Sequence, residues 1–512
     1  IQAGEILHDK NKKQLIYDNA LLKIYNFPVV YFPKFFHPDP SVERQSGILV
    51  PILNESQILG SSIQIPYFHV LSKKEDITIR PNIFDNHIFM LQNEYRKKTE
   101  YSSLLADFGF TKGYKSSLSN KKKNISHLFA KYKLDLNLND FISSNLDLDL
   151  QKVTNDTYLK VFDGNIINED LKPTNLNVLK NELKLELDHE NYFFESGIES
   201  YESLDKKSSD RYQYILPYYN FDKVVSQNYF NGSISFNSSG NNDLSDTNIL
   251  KTEIINDINY TGFDIINDYG LKNNLSIYFK NFNAVGKNDS KLKNSPQIEL
   301  MSTLKIDSSL PLKKGGSEYM NYLTPKLSML FNPSDMKNHS ETKRNINNEN
   351  IFDINRLGLT DSLETGKSLT AGLEYKKEKL KDINKFFELK LATVFRDKEE
   401  TFIPKTSTLN KKNSNLFGSL SNNFSDKFNV KYDFALNNNL NTFDYNKISS
   451  TISLNNLVTE FSFIEEGGDI GSTNTFANKS KYIFDENNSI SFKTRRNRKI
   501  NLTEYYDLIY EY

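Results

Sequence analysis

Apolar residues occupy every second position over short stretches of this chain, and clusters of Asn, Ser, Asp and Lys bound those stretches. Tyr132, Leu134, Leu136 and Leu138 alternate with Lys133, Asp135, Asn137 and Asn139. Phe428, Val430, Tyr432, Phe434 and Leu436 alternate in the same way with Asn429, Lys431 and Asp433. A period of two gives a β-strand one apolar and one polar face. Similar stretches recur at 104–110, 183–187, 275–279, 490–492 and 502–512, and nothing comparable keeps a helical period over two turns. The pattern predicts an all-β protein.

A soluble β-sandwich alternates in the same way, so the period alone does not place the chain in a membrane. Length discriminates better. A chain of 512 residues would need several sandwich domains of ~100 residues each, yet it shows neither a repeat period nor Pro/Gly linkers. One large antiparallel transmembrane β-barrel over 47–512 fits better, with roughly 20 or more strands at ~20 residues per strand and loop. Asn-rich stretches at 345–350 and 437–441 read as loops, of the kind found on the outward side of such barrels.

Residues 1–46 differ. Short strand-like pieces at 15–17, 22–24 and 29–32 lead into Phe32-Pro33-Lys34-Phe35-Phe36-His37-Pro38-Asp39-Pro40. Proline lacks a backbone donor and breaks ladders, so the expected boundary lies in this run, between the end of a preceding β domain and the barrel.

Composition narrows the chemistry. The 64 basic and 65 acidic side chains nearly cancel, which removes the global electrostatic capture that nucleic acid binding uses. A mean hydropathy of −0.58 suits a solvated chain, but 29 Tyr and 36 Phe call for apolar surroundings. No apolar run approaches the ~18 residues of a membrane helix. Without Cys, and with seven scattered His, there is little for a metal centre or a cysteine nucleophile, so no catalytic, metal or cofactor site is expected. The chain opens at Ile1 without a signal-peptide pattern, so any such peptide is expected upstream.

The remaining motifs have bland readings. Asp361-Ser362-Leu363-Glu364-Thr365-Gly366-Lys367-Ser368 ends like a phosphate loop, but Asp361 stands where the first glycine belongs and no helix pattern follows. Lys121-Lys122-Lys123 and the cluster Arg495, Arg496, Arg498 and Lys499 have the chemistry to meet phosphates, against a simpler reading as solvated turn or lumen charges. His37 and Asp39 share a Pro-punctuated turn, where Asp normally bonds its own backbone. Tyr67, Phe68, Tyr505, Tyr506 and Tyr510 suit interfacial girdles.

The junction carries a resemblance. Pro28-Val29-Val30-Tyr31-Phe32-Pro33 followed by His37-Pro38-Asp39-Pro40-Ser41-Val42-Glu43-Arg44-Gln45-Ser46-Gly47 resembles the LptD (OstA/Imp) family of LPS-assembly proteins. The likeness continues through Ile65-Pro66-Tyr67-Phe68, 76–81, Glu94-Tyr95-Arg96, Asn155-Asp156-Thr157-Tyr158-Leu159, 215–217 and 324–327. Asn355 to Glu364 resembles the family's RFSGxDRxE segment, with Leu359-Thr360 and Ser362-Leu363 as departures. Residues 495–506 match a segment that the family places a few strands before its C-terminus, so the last strands are expected to lie beyond this chain.

The resemblance implies a periplasmic jelly roll (its end at 1–46) and a 26-stranded barrel that inserts lipopolysaccharide into the outer leaflet through a lateral gate between first and last strands. It also implies the outer-membrane bilayer, a plug lipoprotein of LptE type, a periplasmic bridge protein of LptA type and the barrel assembly machinery as partners. Pro33, His37, Pro38, Asp39, Pro40, Arg44 and Gly47 would form the junction. The family often links jelly roll to barrel by disulfides, which this Cys-free stretch cannot make.

Pro51 and Pro66 fit a gate, because each removes a donor from a strand that should be fully paired in lipid. Family members carry gate prolines at corresponding places. The plainer reading makes Pro51 the first residue of a strand and Pro66 a bulge. Rival functions are a porin or small-solute receptor without a jelly roll, an outer-membrane lipase or protease needing a nucleophile near a His, and a secreted β-rich adhesin.

Overall fold

The computed structural model describes every residue except 1, 12, 25–26, 40, 43, 57, 116–122, 167–169, 207, 487 and 512. The chain divides into two compact units, 1–219 with 241–251 and 287–290, and 220–240 with 252–286 and 291–512.

The first unit opens with a separate three-stranded antiparallel sheet, Glu5–Asp9, Gln14–Ile24 and Phe27–Pro38. The sequence pieces seen at 15–17, 22–24 and 29–32 lie inside the two longer strands. Strand structure runs through Pro33 and ends at Pro38, and the next strand fragment begins at Gly47. Pro33 is tolerated because its strand is at the sheet edge and it stands opposite Asn19 (φ 54°), where the ladder skips one pair between Asp18↔Lys34 and Ala20↔Phe32 without a change of register.

The remaining strands of each unit pair antiparallel with neighbours in chain order, as in a barrel wall. Their alternation is inverted relative to a soluble protein. Along 60–67, Ser62 and Gln64 are buried while Ile63 and Ile65 are exposed. In Ser102–Tyr114, Asp107 and Thr111 are buried while Phe108 and Phe110 are exposed. The second unit repeats this: Ser328 is 2% exposed, whereas its neighbours Leu327 and Met329 are 50% and 60% exposed. Water would not support such surfaces strand after strand, but hydrocarbon does, and the hidden polar face then lines a lumen.

Long connections cover the polar face. In the first unit the segment after Ser143–Val153 contains a single-turn α-helix, Tyr158–Phe162, too short for any helical period to show in sequence. Tyr158, Leu159 and Phe162 pack with Met90, Phe129 and Leu179 in one apolar cluster. In the second unit residues 333–365 join Tyr319–Asn332 to Gly366–Lys379, and Ile351 and Leu357 of this connection pack against Val394, Phe417 and Ala435.

Candidate functional site

The first hairpin of the large sheet is fragmented. Gly47–Ile48 pairs with Tyr67–Phe68 at only two positions, and Ile52–Ser56 pairs with Gly60–Gln64 at five. Pro51 stands in the gap between Ile48 and Ile52, just before the second fragment, and Pro66 stands in the gap between Gln64 and Tyr67. Neither lies inside a paired strand, the setting in which sequence had placed them. The gap is bridged by Leu49 N–H donating to the Pro66 carbonyl at 2.8 Å and Ile65 N–H donating to the Pro81 carbonyl at 3.2 Å. Side chains leading outward from the hairpin are apolar, with Ile48 and Val50 72% and 82% exposed.

The junction residues have local tasks. His37 sits between the Tyr17 hydroxyl, 3.0 Å from Nε2, and the Pro38 carbonyl, 2.6 Å from Nδ1. Asp39 turns away from His37. Its carboxylate accepts from the Ser41 N–H at 2.8 Å and meets His8 Nε2 at 2.6 Å, and the Ser41 bonds above all hold its pKa below the ordinary value. Arg44 pairs with Asp76, and Gly47 begins the first barrel fragment. Pro33 and Pro38 belong to the edge strand, and Pro40 lies outside the described residues. The three lysines at 121–123 fall largely outside them too, and Arg495 pairs with Glu504 at 2.9 Å.

A second feature lies in the 333–365 connection. Arg356 is fully buried and places all its guanidinium donors: Nε and Nη2 grip the Glu364 carboxylate at 2.7 and 2.6 Å, Nη1 reaches Thr370 Oγ1 at 2.8 Å and the Ile351 carbonyl at 3.2 Å, and Nη2 also reaches Ser368 Oγ at 2.8 Å. Arg396, from the strand Asp382–Arg396, adds a second guanidinium to Glu364. Burial alone would raise the Glu364 pKa, but the two guanidiniums outweigh it and bring it to about 2. Arg356 and Glu364 both lie in the segment 355–364 that sequence singled out. Of its departures, Leu359 and Leu363 are buried apolar side chains and Ser362 Oγ accepts from Lys337 N–H at 3.1 Å. Arg396 carried no sequence signal, being 32 residues from Glu364.

The polar face of the first unit holds a third arrangement. His127 is 1% exposed and sits between the Tyr158 hydroxyl, 2.6 Å from Nδ1, and Asp107, 3.3 Å from Nε2. Gly109 makes room for it, since a Cβ there would stand 2.2 Å from the imidazole Cε1. The arrangement ties the short helix to two strands.

Comparison with known proteins now decides the family. The model for "LptD: LPS transport system D" matches residues 127–478, more than half of the chain. The chain belongs to the LptD family. Among curated relatives, LPS-assembly protein LptD of Acinetobacter baylyi is 24% identical over 406 residues, covering 73% of this chain and 46% of that protein. LPS-assembly protein LptD of Legionella pneumophila (strain Paris) is 27% identical over 213 residues, 40% of this chain and 25% of that protein. The chain thus spans half or less of the LptD relatives it matches. A solved structure, the alcaligin outer-membrane receptor FauA of Bordetella pertussis, covers 94% of this chain and 79% of its own at 8% identity and a TM-score of 0.32, too low to argue from. Membership in the LptD family fixes the fold class as a large antiparallel outer-membrane β-barrel and places the chain in the cell outer membrane.

Proposed function

We propose that this chain forms the barrel part of a protein that inserts lipopolysaccharide into the outer leaflet, and that the lipid leaves through a lateral gate beside the first hairpin. What carries the reading is the broken ladder there. A strand held by two pairs at one end and interrupted at Pro51 and Pro66 opens at lower cost than its neighbours, because each missing bond removes on the order of 1 kcal/mol. The exposed apolar side chains of the hairpin offer acyl chains a lipid-like wall, while sugars follow the polar lumen. Residues 1–46 form the end of a periplasmic jelly roll that receives the lipid from a bridge protein of LptA type. A plug lipoprotein of LptE type and the barrel assembly machinery complete the set of partners. A porin or small-solute receptor is the weaker reading, since the family is one of LPS transport.

The test is made in the full-length protein. Pro51→Ala with Pro66→Ala restores two backbone donors and should slow delivery of lipopolysaccharide to the surface while the barrel still folds. Unchanged delivery by the folded double variant would make the prolines plain strand punctuation. A crosslink between first and last strands should block delivery in either background, and continued delivery through the sealed seam would end the gate reading.

A further inference from the structure

A cationic pocket lies in the first unit, where the chain enters the barrel wall. Three short stretches build it: Arg44 before the first strand fragment, the turn Lys73-Lys74 between Tyr67–Ser72 and Glu75–Phe84, and the end of Phe89–Lys98. Antiparallel pairing sets the last two side by side, with Lys98 N–H donating to the Lys74 carbonyl at 2.9 Å. Ser46 anchors the first, its Oγ accepting from Val70 N–H at 2.8 Å. The cavity between them is about 550 Å³.

Its charges are unbalanced and pre-aimed. Arg44, Lys73, Lys74, Arg96 and Lys98 line it with one carboxylate, Asp76. Asp76 is 4% exposed and shared by both arginines, with Arg96 Nε at 2.7 Å, so a single acid fixes two guanidiniums without neutralising the pocket. Each guanidinium also lies 5.8 Å from the Phe68 ring, which floors the cavity. Beyond the lining, Glu94 meets Arg96 at 3.3 Å but is pledged to Arg80 at 2.9 Å, and Glu75 is taken by Lys97 at 2.7 Å. Among the described residues Lys73, Lys74 and Lys98 have no acidic partner. Asp76, Thr78 and Glu94 are buried on the polar face, so the pocket opens on the lumen side of the wall.

We propose that this pocket binds the phosphate-bearing sugar head of the transported glycolipid as it enters the lumen at the junction, an assignment that rests on the lipopolysaccharide reading above. Guanidiniums held by a shared carboxylate suit phosphate oxygens, three ammonium groups add charge without geometry, and the ring of Phe68 suits the apolar face of a sugar.

The test uses the full-length protein in detergent, titrated with diphosphorylated lipid A, with the same lipid stripped of phosphate, and with inorganic phosphate. The variant Lys73→Gln/Lys74→Gln/Lys98→Gln changes only exposed side chains. It should bind diphosphorylated lipid A at least about tenfold more weakly than the parent and bind the stripped lipid unchanged, while Lys97→Gln, outside the pocket, matches the parent. Equal binding of the diphosphorylated lipid by parent and triple variant overturns the site and leaves the transport reading standing. A parent that binds neither lipid overturns both. Inorganic phosphate binding as tightly as the lipid would make this a free-anion site and overturn the glycolipid assignment.

Discussion

The first hairpin and the strands around the 333–365 connection solve opposite problems with the same backbone. Gly47–Ile48 is held by two pairs, whereas Tyr319–Asn332 pairs with Gly366–Lys379 at fourteen consecutive positions, Pro325 included. Pro325 shows that proline alone does not break a ladder here. What distinguishes Pro51 and Pro66 is that the strands on both sides stop at them, so the loss of a donor coincides with a loss of register. Around 333–365 the long ladder is reinforced by a buried Arg–Glu–Arg network that fastens the connection to the wall, whereas the hairpin is held by backbone bonds across its gaps. Local stability follows from how many such bonds must break together.

Breaking the strong side should have the largest effect. Glu364→Gln leaves two buried guanidiniums without their counter-charge and should destabilise the second unit by about 3–5 kcal/mol, read as a lower unfolding temperature and early proteolysis within 333–365. The same network gives a pH signature. Because the folded Glu364 pKa of about 2 lies below its ordinary 4.5, the stability it adds is complete above that value and drains away as the pH falls from 4.5 toward 2. Protease resistance of the connection should therefore hold at pH 5 and decline below 4.5; a connection released already at pH 6 would show that another group governs it.

A smaller effect is expected on the polar face of the first unit. Tyr158→Phe removes the hydroxyl facing His127 Nδ1 and should cost about 1–3 kcal/mol, loosening the 154–177 connection without altering the strands. Its measure is faster amide exchange confined to that connection. The smallest is Pro51→Ala with Pro66→Ala, at about 1 kcal/mol per restored donor, which should narrow the gap between hairpin and ladder. A double variant whose hairpin exchanges as fast as the parent's would show that register, not the missing donors, weakens the seam.

Strands were legible in the sequence because alternation is written locally, as in Tyr132, Leu134 and Leu136 against Lys133, Asp135 and Asn137. The direction of the alternation was not legible, since a sandwich core and a lipid-facing wall give the same string; only burial of the polar set separates them. The five-residue helix at Tyr158 is too short to show a period. The ends of the buried network were visible as Arg356 and Glu364, but Arg396, the Asp107–His127–Tyr158 arrangement and the lysine pocket join residues that only strand pairing brings together. Proline at 33 does not end its strand, because an edge strand tolerates a residue without a donor.

The claim that the first hairpin is the weak seam of the wall is tested most directly by amide hydrogen exchange of the full-length protein in a bilayer. Amides of Ile52–Ser56 and Tyr67–Ser72 should open at least about thirtyfold more readily than those of Tyr319–Asn332 and Gly366–Lys379, as a difference of two or three backbone bonds requires. Equal protection of the two regions would contradict the account.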